Sequence, residues 1–352
     1  METTQPFSIV AQTALKVSTG VISNQSGEQL GSFAAPKIEI LTTPQTLWAQ
    51  TVDRIEVPFA KEYDQEEYFN NPALTMMGFY ELRRIIRSLG VPTPQQEDYY
   101  SEPLKGQKCF VVGTGPGREI VWYSIFGASV SGLDATSKYL EIAQRKVTLA
   151  QEYLGRQLPV DRLYQCPAES FSWPSKEYDF VSCLFGVLNH VESWEQTLAT
   201  ICNSVKPGGK IFLSMYGQNE ALVFELRGQL GYSPSILQRR TEGGILLGES
   251  SDILPANFPL PEEVAEVLQA QGFSDIMASG DLALAALFPQ ITTKKNLELF
   301  KSLIAQTEPR LGNRIKAVND ADELLLRTFI YEQKIPRPLQ DYAYIRFEGT
   351  KV

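Results

Sequence analysis

The stretch "CFVVGTGPGREI", Cys109 to Ile120, constrains the fold of this chain more than any other. Four apolar residues run into a turn with glycine at 113, 115 and 117, and helix-forming residues resume directly afterwards. A short, unbroken apolar run reads as a strand buried on both faces, as the strands of a parallel sheet are. Glycines behind such a strand permit positive φ and leave bare peptide groups where a ligand can approach. The following helix offers unpaired N–H groups to an anion. Taken alone the turn is equally well a simple connection, so its meaning rests on its surroundings.

Those surroundings alternate strand and helix, the pattern of βαβ units and a doubly wound, mostly parallel α/β sheet. Cys109–Val112 is a predicted strand, Arg118–Phe126 a helix closed by Gly127, and Ala128–Leu133 a second strand. The next helix carries Leu140, Ala143, Val147, Ala150 and Leu154 on one face. "YDFVSCLF" at Tyr178–Phe185 is a further strand, then a helix marked by Trp194, Leu198, Ile201 and Val205, the turn "KPGG" and the strand "KIFLSMY". The expected organisation is an N-terminal arm and helical lid over 1–100, a core over 101–218, an insertion or lid over 219–259, and completion of the core over 260–352 with a second helical insert. In the arm, residues from Leu74 to Leu89 have helical spacing with Gly90 as a stop, and short strands are expected upstream. The tail "DYAYIRFEG" alternates as an edge or hairpin strand does.

Composition excludes several functions. Charged residues make up 21% of the chain, hydrophobic residues 43%, and the formal charge is −9, which disfavours sequence-independent nucleic-acid binding. No apolar run reaches the roughly 20 residues of a membrane span, and the start lacks the pattern of a secretory signal, so a cytoplasmic location is expected, with no membrane partner. The four cysteines are scattered without a CxxC pair, which suggests neither a zinc site nor a disulfide framework.

Asp134 stands at the end of the second strand, where a carboxylate can accept hydrogen bonds from both hydroxyls of a ribose; the alternative is that it caps the helix beginning near Ser137. "QCPAESFSW" places Ala168 and Glu169 at the end of the third strand, and "SCLFGVLNHV" reaches the same rim from the fourth. "VVGTGPG", Asp134 in "SGLDATSKYLEIAQ", "PAESF", "YDFVSCLFGVLNHV" and "SVKPGGKIFLSMYG", in this order, resemble the class I S-adenosylmethionine-dependent methyltransferases. The resemblance covers about Leu104 to Gly217, and Leu260 to Ser279 loosely. A dinucleotide site is the competitor, but its third glycine falls where Arg118 stands.

The resemblance implies a Rossmann-like core with S-adenosylmethionine as methyl donor. Gly113, Thr114, Gly115 and Gly117 would flank the donor's methionine end, and Asp134 would take the ribose. Ala135 would pack near adenine, Ala168 and Glu169 would border it, and Leu184, Phe185 and Gly186 would line the sulfonium side. Family members commonly carry an acid two residues before the first glycine and an Asp before the "AE" pair; this chain has Val111 and Pro167. Those departures weaken the anchors expected for the methionine ammonium and the adenine amino group.

Methyl transfer from a sulfonium is a displacement on an activated carbon and requires neither a metal nor a covalent nucleophile, so no metal is expected. The single histidine, His190, lies past the fourth strand on the methyl-facing rim and is the candidate base; the alternative is a local brace. Tyr63 and Tyr68 are candidates to cover the donor or to pack, and Tyr216 is a rim aromatic. The D/N-P-P-Y/F motif of nucleobase methylases is absent after the fourth strand, so a small-molecule acceptor is expected, with no nucleic-acid partner. A protein or peptide acceptor, or a binding module without turnover, is the alternative, and the N-terminal arm suggests a homodimer.

Overall fold

The computed structural model describes residues 33–41, 50–51, 54, 81–90, 102–217, 243–246, 253–281, 298, 301–302, 305, 309–317, 324, 328 and 344–352. The upstream strands of the arm, Tyr63, Tyr68, and most of 219–259 and of the second helical insert lie outside these residues.

Strand β1 spans Lys37–Ile40, β2 Lys108–Val112, helix α1 Arg118–Ile125, β3 Ser129–Asp134, α2 Ser137–Leu154, β4 Val160–Gln165 and β5 Tyr178–Cys183. After them come α3 Trp194–Ser204, β6 Val205–Tyr216, the short β7 Gly244–Leu246 and β8 Ile253–Pro255, α4 Pro261–Ala270, β9 Phe273–Asp281, α5 Pro309–Ile315 and β10 Tyr344–Lys351. Strands β7 and β8 pair with each other, whereas the other eight form one sheet in the order β1-β4-β3-β2-β5-β6-β10-β9. From β1 to β6 neighbours are parallel; β10 runs antiparallel to both β6 and β9.

The chain winds from β2 outward to β3 and β4, then returns to lay β5 on the other side of β2. Strand order reverses there, and a crevice opens beyond the carboxyl ends of β2 and β5. The apolar run of β2 serves both faces of the sheet. Cys109 and Val111 pack with α1 and α2, and Phe110 and Val112 join the cluster that holds α3 and α4. Gly117 lets α1 meet α2 closely: a Cβ on it would lie 2.6 Å from the backbone of Ala143.

Three expectations change in detail. First, "KPGG" is not a turn ahead of a strand. It is a bulge within β6, since Tyr178 pairs with Val205 and Phe180 with Lys210, so the intervening residues loop out while pairing resumes. Second, the N-terminal stretch contributes β1 to the sheet, pairing Lys37–Ile40 with Arg162–Gln165. Gln144 Nε2 donates to Pro36 O at 2.6 Å and Gln151 Nε2 to Ala34 O at 3.2 Å, fastening the segment along α2.

Third, the tail strand β10 is not an edge; it lies between β6 and β9. Its alternation is real, with Ile345 and Phe347 in the core, but Arg346 and Glu348 on its other face are buried as well. The helical segment 81–88 covers them. Arg346 Nε meets Glu81 at 3.1 Å, Arg84 Nη1 meets Glu348 at 2.9 Å, and Ser88 Oγ donates to Glu348 at 3.1 Å. Leu82 and Ile85 of the same segment enter the core, and Gly90 ends it at a φ of 71°, as its spacing predicts.

This clasp sets the first prediction. Arg346→Met leaves the buried Glu81 carboxylate without its strand partner and should destabilise the chain by about 3–5 kcal/mol. Urea unfolding midpoints measure it; a loss under about 1 kcal/mol would mean that the pair is as weak as a surface contact.

Candidate functional site

The glycine turn has the backbone that its sequence requires: φ is 69° at Gly113, 47° at Gly115 and 86° at Gly117. The glycines differ in what surrounds them. A Cβ at Gly113 would strike Val187 at 2.2 Å, whereas one at Gly115 would meet nothing within 4 Å. Gly113 and Gly117 therefore serve packing, and Gly115 presents bare backbone to the crevice. Thr114 is buried, and its N–H donates to Leu133 O at 2.9 Å, holding the turn against β3.

Asp134 both binds and caps. Its Oδ2 accepts from Gly115 N at 2.8 Å, and its Oδ1 accepts from Thr136 N at 2.9 Å, at the N-cap of α2. The carboxylate thus ties the glycine turn to the start of the next helix. Ala135 beside it is half-buried.

On the next strand, Ala168 and Glu169 lie in the 3-10 turn Ala168–Ser170, with Ala168 buried and its carbonyl accepting from Trp173 Nε1 at 3.1 Å. Burial raises the Glu169 carboxyl above its ordinary range, and the Glu192 charge adds to this. At the end of β5, Leu184 is buried in the core while Phe185 and Gly186 both turn left-handed, with φ of 60° and 81°. A positive φ at a phenylalanine is strained. Ser214 of β6 holds it there: its Oγ accepts from Phe185 N at 2.5 Å and its carbonyl from Gly186 N at 3.0 Å.

The Phe185 ring then faces two ways. Arg118 stacks its guanidinium over one face at 4.1 Å, and Tyr344 meets the ring edge-to-face at 6.0 Å. Tyr344 also contacts Tyr216 at 5.1 Å, and Tyr216 contacts the His190 ring at 5.5 Å and Phe258 at 6.5 Å. Tyr216 needs the glycine beside it, because a Cβ at Gly186 would lie 2.6 Å from its ring. An aromatic wall therefore stands over the ends of β5, β6 and β10.

In "NH", Asn189 is the brace. Fully buried, it accepts from Tyr216 N at 2.8 Å and donates to Asn257 O at 2.6 Å. His190 is held at one nitrogen only, with Nδ1 2.8 Å from Pro255 O. A carbonyl can only accept, so Nδ1 carries the proton and Nε2 the lone pair. Part of the residue reaches solvent, yet the ring is enclosed on most sides, and this desolvation lowers its pKa to about 4 against the smaller opposing effect of the Pro255 bond.

The structure puts the turn, Asp134, Ala168 and the β5 end at the carboxyl ends of neighbouring strands, where the sequence places them. Sequence reasoning missed Ser214, Tyr344 and Pro255. Among the described residues no cluster of His, Cys, Asp and Glu could hold a metal, and no helix is long and apolar enough to cross a membrane.

Comparison with known proteins bears on the same region. A family profile described as a methyltransferase domain matches residues 110–213. A ubiquinone biosynthesis O-methyltransferase of Dechloromonas aromatica is 31% identical over 118 residues, 33% of this chain and 47% of that protein. One from Coxiella burnetii is 27% identical over 177 residues, 49% of this chain and 67% of that protein. The chain thus spans about half to two thirds of the length of these relatives. Among solved structures, a phosphoethanolamine N-methyltransferase 2 of Haemonchus contortus, in complex with phosphomonomethylethanolamine and S-adenosylhomocysteine, covers 86% of this chain and 60% of its own, with a TM-score of 0.49 and 19% identity.

Because the folded pKa of His190 lies below the unfolded value of about 6.5, the unfolded chain binds more protons between pH 4 and 6.5. Stability must therefore fall as pH drops through that window. His190→Gln should remove on the order of 1–2 kcal/mol of this loss, after allowance for partial exposure. Denaturation at pH 7 and pH 5 checks it; parallel pH slopes for the two proteins would refute the buried neutral imidazole.

Proposed function

We propose that this chain, whose residues 110–213 match a methyltransferase-domain profile, is a class I S-adenosylmethionine-dependent methyltransferase that transfers a methyl group to a small acceptor held against the aromatic wall. The observation that supports this best is the junction of two surfaces at one rim. The glycine turn, with open space at Gly115 and Asp134 beside it, adjoins the wall of Phe185, Tyr216 and Tyr344, where His190 keeps a lone pair.

The residues fit the donor. A Cβ-free Gly115 lets the chain approach it closely, Asp134 puts a carboxylate at the end of β3 where the ribose would lie, and the Ala168–Ser170 turn borders adenine. When bound, S-adenosylmethionine supplies an electrophilic methyl group on a sulfonium centre. The protein's work is then alignment and exclusion of water. Flat aromatic faces favour a planar or apolar acceptor over a highly charged one. The O-methyltransferase activity for which the relatives are named favours an oxygen nucleophile; a nitrogen is the second choice.

An oxygen acceptor must lose its proton as the new bond forms. His190 is the group we assign to take it. The Pro255 carbonyl fixes the tautomer, Nε2 stays unprotonated at neutral pH, and Tyr216 sets the ring's tilt. A pKa near 4 makes it a weak base, so proton transfer has to accompany bond formation rather than precede it.

Calorimetry with S-adenosylhomocysteine tests the donor site. Asp134→Ala should weaken binding by at least about 30-fold, since bonds to a charged acceptor are lost. Unaltered affinity would put the nucleoside elsewhere. With radiolabelled donor and a panel of phenols and amines, His190→Ala should lower kcat by about 100-fold or more while leaving the donor KM unchanged. Full turnover in that variant would remove His190 from proton transfer and leave it a brace.

A further inference from the structure

The donor that the proposed function requires ends in an amino acid, with an ammonium and a carboxylate that both need partners in a crevice. Val111, where an acid is expected for the ammonium, is 2% exposed and packed in the core. It cannot serve. The question is what charge this chain supplies instead.

Among the described residues one carboxylate stands over the same ground. Glu119 lies in the first turn of α1, directly behind the glycine turn, with its side chain only 10% exposed. Its position can be read from its neighbours. After burial itself, its charge is among those that push up the Cys109 thiol and the Tyr123 phenol. Cys109 is the β2 residue on the same face as Val111, and the Tyr123 hydroxyl donates to Ser182 Oγ at 3.2 Å. Ser182 pairs with Val111 across the β2–β5 ladder. Glu119 therefore stands on the side of the sheet that Val111 also faces, reached from the helix directly behind the glycine turn instead of from the strand.

Its hydrogen bonding is lopsided. Arg118 Nε and Nη2 both donate to Oε1, at 2.9 and 2.6 Å. Oε2 accepts no hydrogen bond from the described residues. Adjacent residues of a helix point apart, so Arg118 must curl back to make this pair, and its stacking on Phe185 at 4.1 Å holds it in that pose. Phe185 is the residue at the β5 end of the crevice. The pair thus sits between the glycine turn and the rim, with one carboxylate oxygen committed and the other open.

We infer that Glu119, resting on the donor site proposed above, is the receptor for the ammonium of the donor's amino-acid end, replacing the acid missing at Val111. The ammonium donates to Oε2, and Arg118, bound to Oε1, keeps the carboxylate aimed. A charge-assisted bond in a partly buried site has the strength for this. The bland alternative is that Glu119 only favours the N-terminus of α1 and balances Arg118.

Two ligands separate these. S-adenosylhomocysteine carries the amino-acid end; 5′-methylthioadenosine keeps the nucleoside and thioether and lacks it. Glu119→Gln, close to isosteric, should weaken S-adenosylhomocysteine by about 10- to 100-fold and change 5′-methylthioadenosine by less than about twofold. An equal loss on both, or no loss on the first, overturns the inference while leaving the donor site standing. Wild-type protein that binds neither ligand overturns the donor site and the inference together. If Gln at 119 prevents folding, Glu119→Asp is read instead: a loss confined to S-adenosylhomocysteine supports the role, and a loss common to both ligands sinks it.

Discussion

The Asp134 carboxylate is the point on which the glycine turn, and the donor site proposed beside it, depends. One of its oxygens binds the N–H of Gly115 and the other the N–H of Thr136. These bonds join the carboxyl ends of two neighbouring strands and the start of α2. A glycine turn with three residues at positive φ has little stiffness of its own, because glycine gives up more conformational freedom on ordering than any other residue. The carboxylate, 8% exposed, supplies the stiffness. It also lies in a place lined with backbone N–H groups, two of which it accepts from. A ribose diol arriving there would add donors to an acceptor whose position is already set, so little ordering remains to be done on binding.

The opposite side of the crevice is built by a different device. There the chain is held by strain: Phe185 stays left-handed because Ser214 on the adjacent strand accepts its N–H, and Gly186 follows in the same conformation to make room for Tyr216. Strain of this kind persists only where the surroundings over-determine it. The Phe185 ring then packs partly against the core and lies between Arg118 and Tyr344. A regular continuation of β5 would send alternate side chains to the two faces of the sheet, and none would line the opening.

How much of this could be read from sequence follows the range of the interactions. The turn, Asp134 and the ends of β3, β4 and β5 were legible because each is announced locally, by glycine spacing, an apolar run or an acid at a strand end. The helical segment ending at Gly90 was legible from its period. What escaped depends on partners distant in sequence. Tyr344 reaches the rim only because an antiparallel β10 puts its first residue level with Tyr216, and nothing near Tyr344 signals that. Pro255 fixes the His190 tautomer through a backbone carbonyl, which carries no residue-type signature at all. Arg346 and Glu348 looked solvent-facing since alternation of charge and apolarity in a strand ordinarily means one wet face. Here the polar face is covered, and its charges are matched by Glu81, Arg84 and Ser88.

That covered face has a consequence for the site. Side chains in a strand alternate with period two, so a slip of β10 by one residue would drive Arg346 and Glu348 into the apolar cluster and bring Ile345 and Phe347 against the charges of segment 81–88. Both moves strand buried charge, which costs several kcal/mol. The ion pairs therefore contribute more to the uniqueness of the register than to stability relative to an apolar contact. The register pairs Tyr344 with Tyr216, and through them sets Phe185 and the His190 ring. Segment 81–88, with Arg346 and Glu348, thus acts on the rim from a distance, by fixing the strand that carries Tyr344.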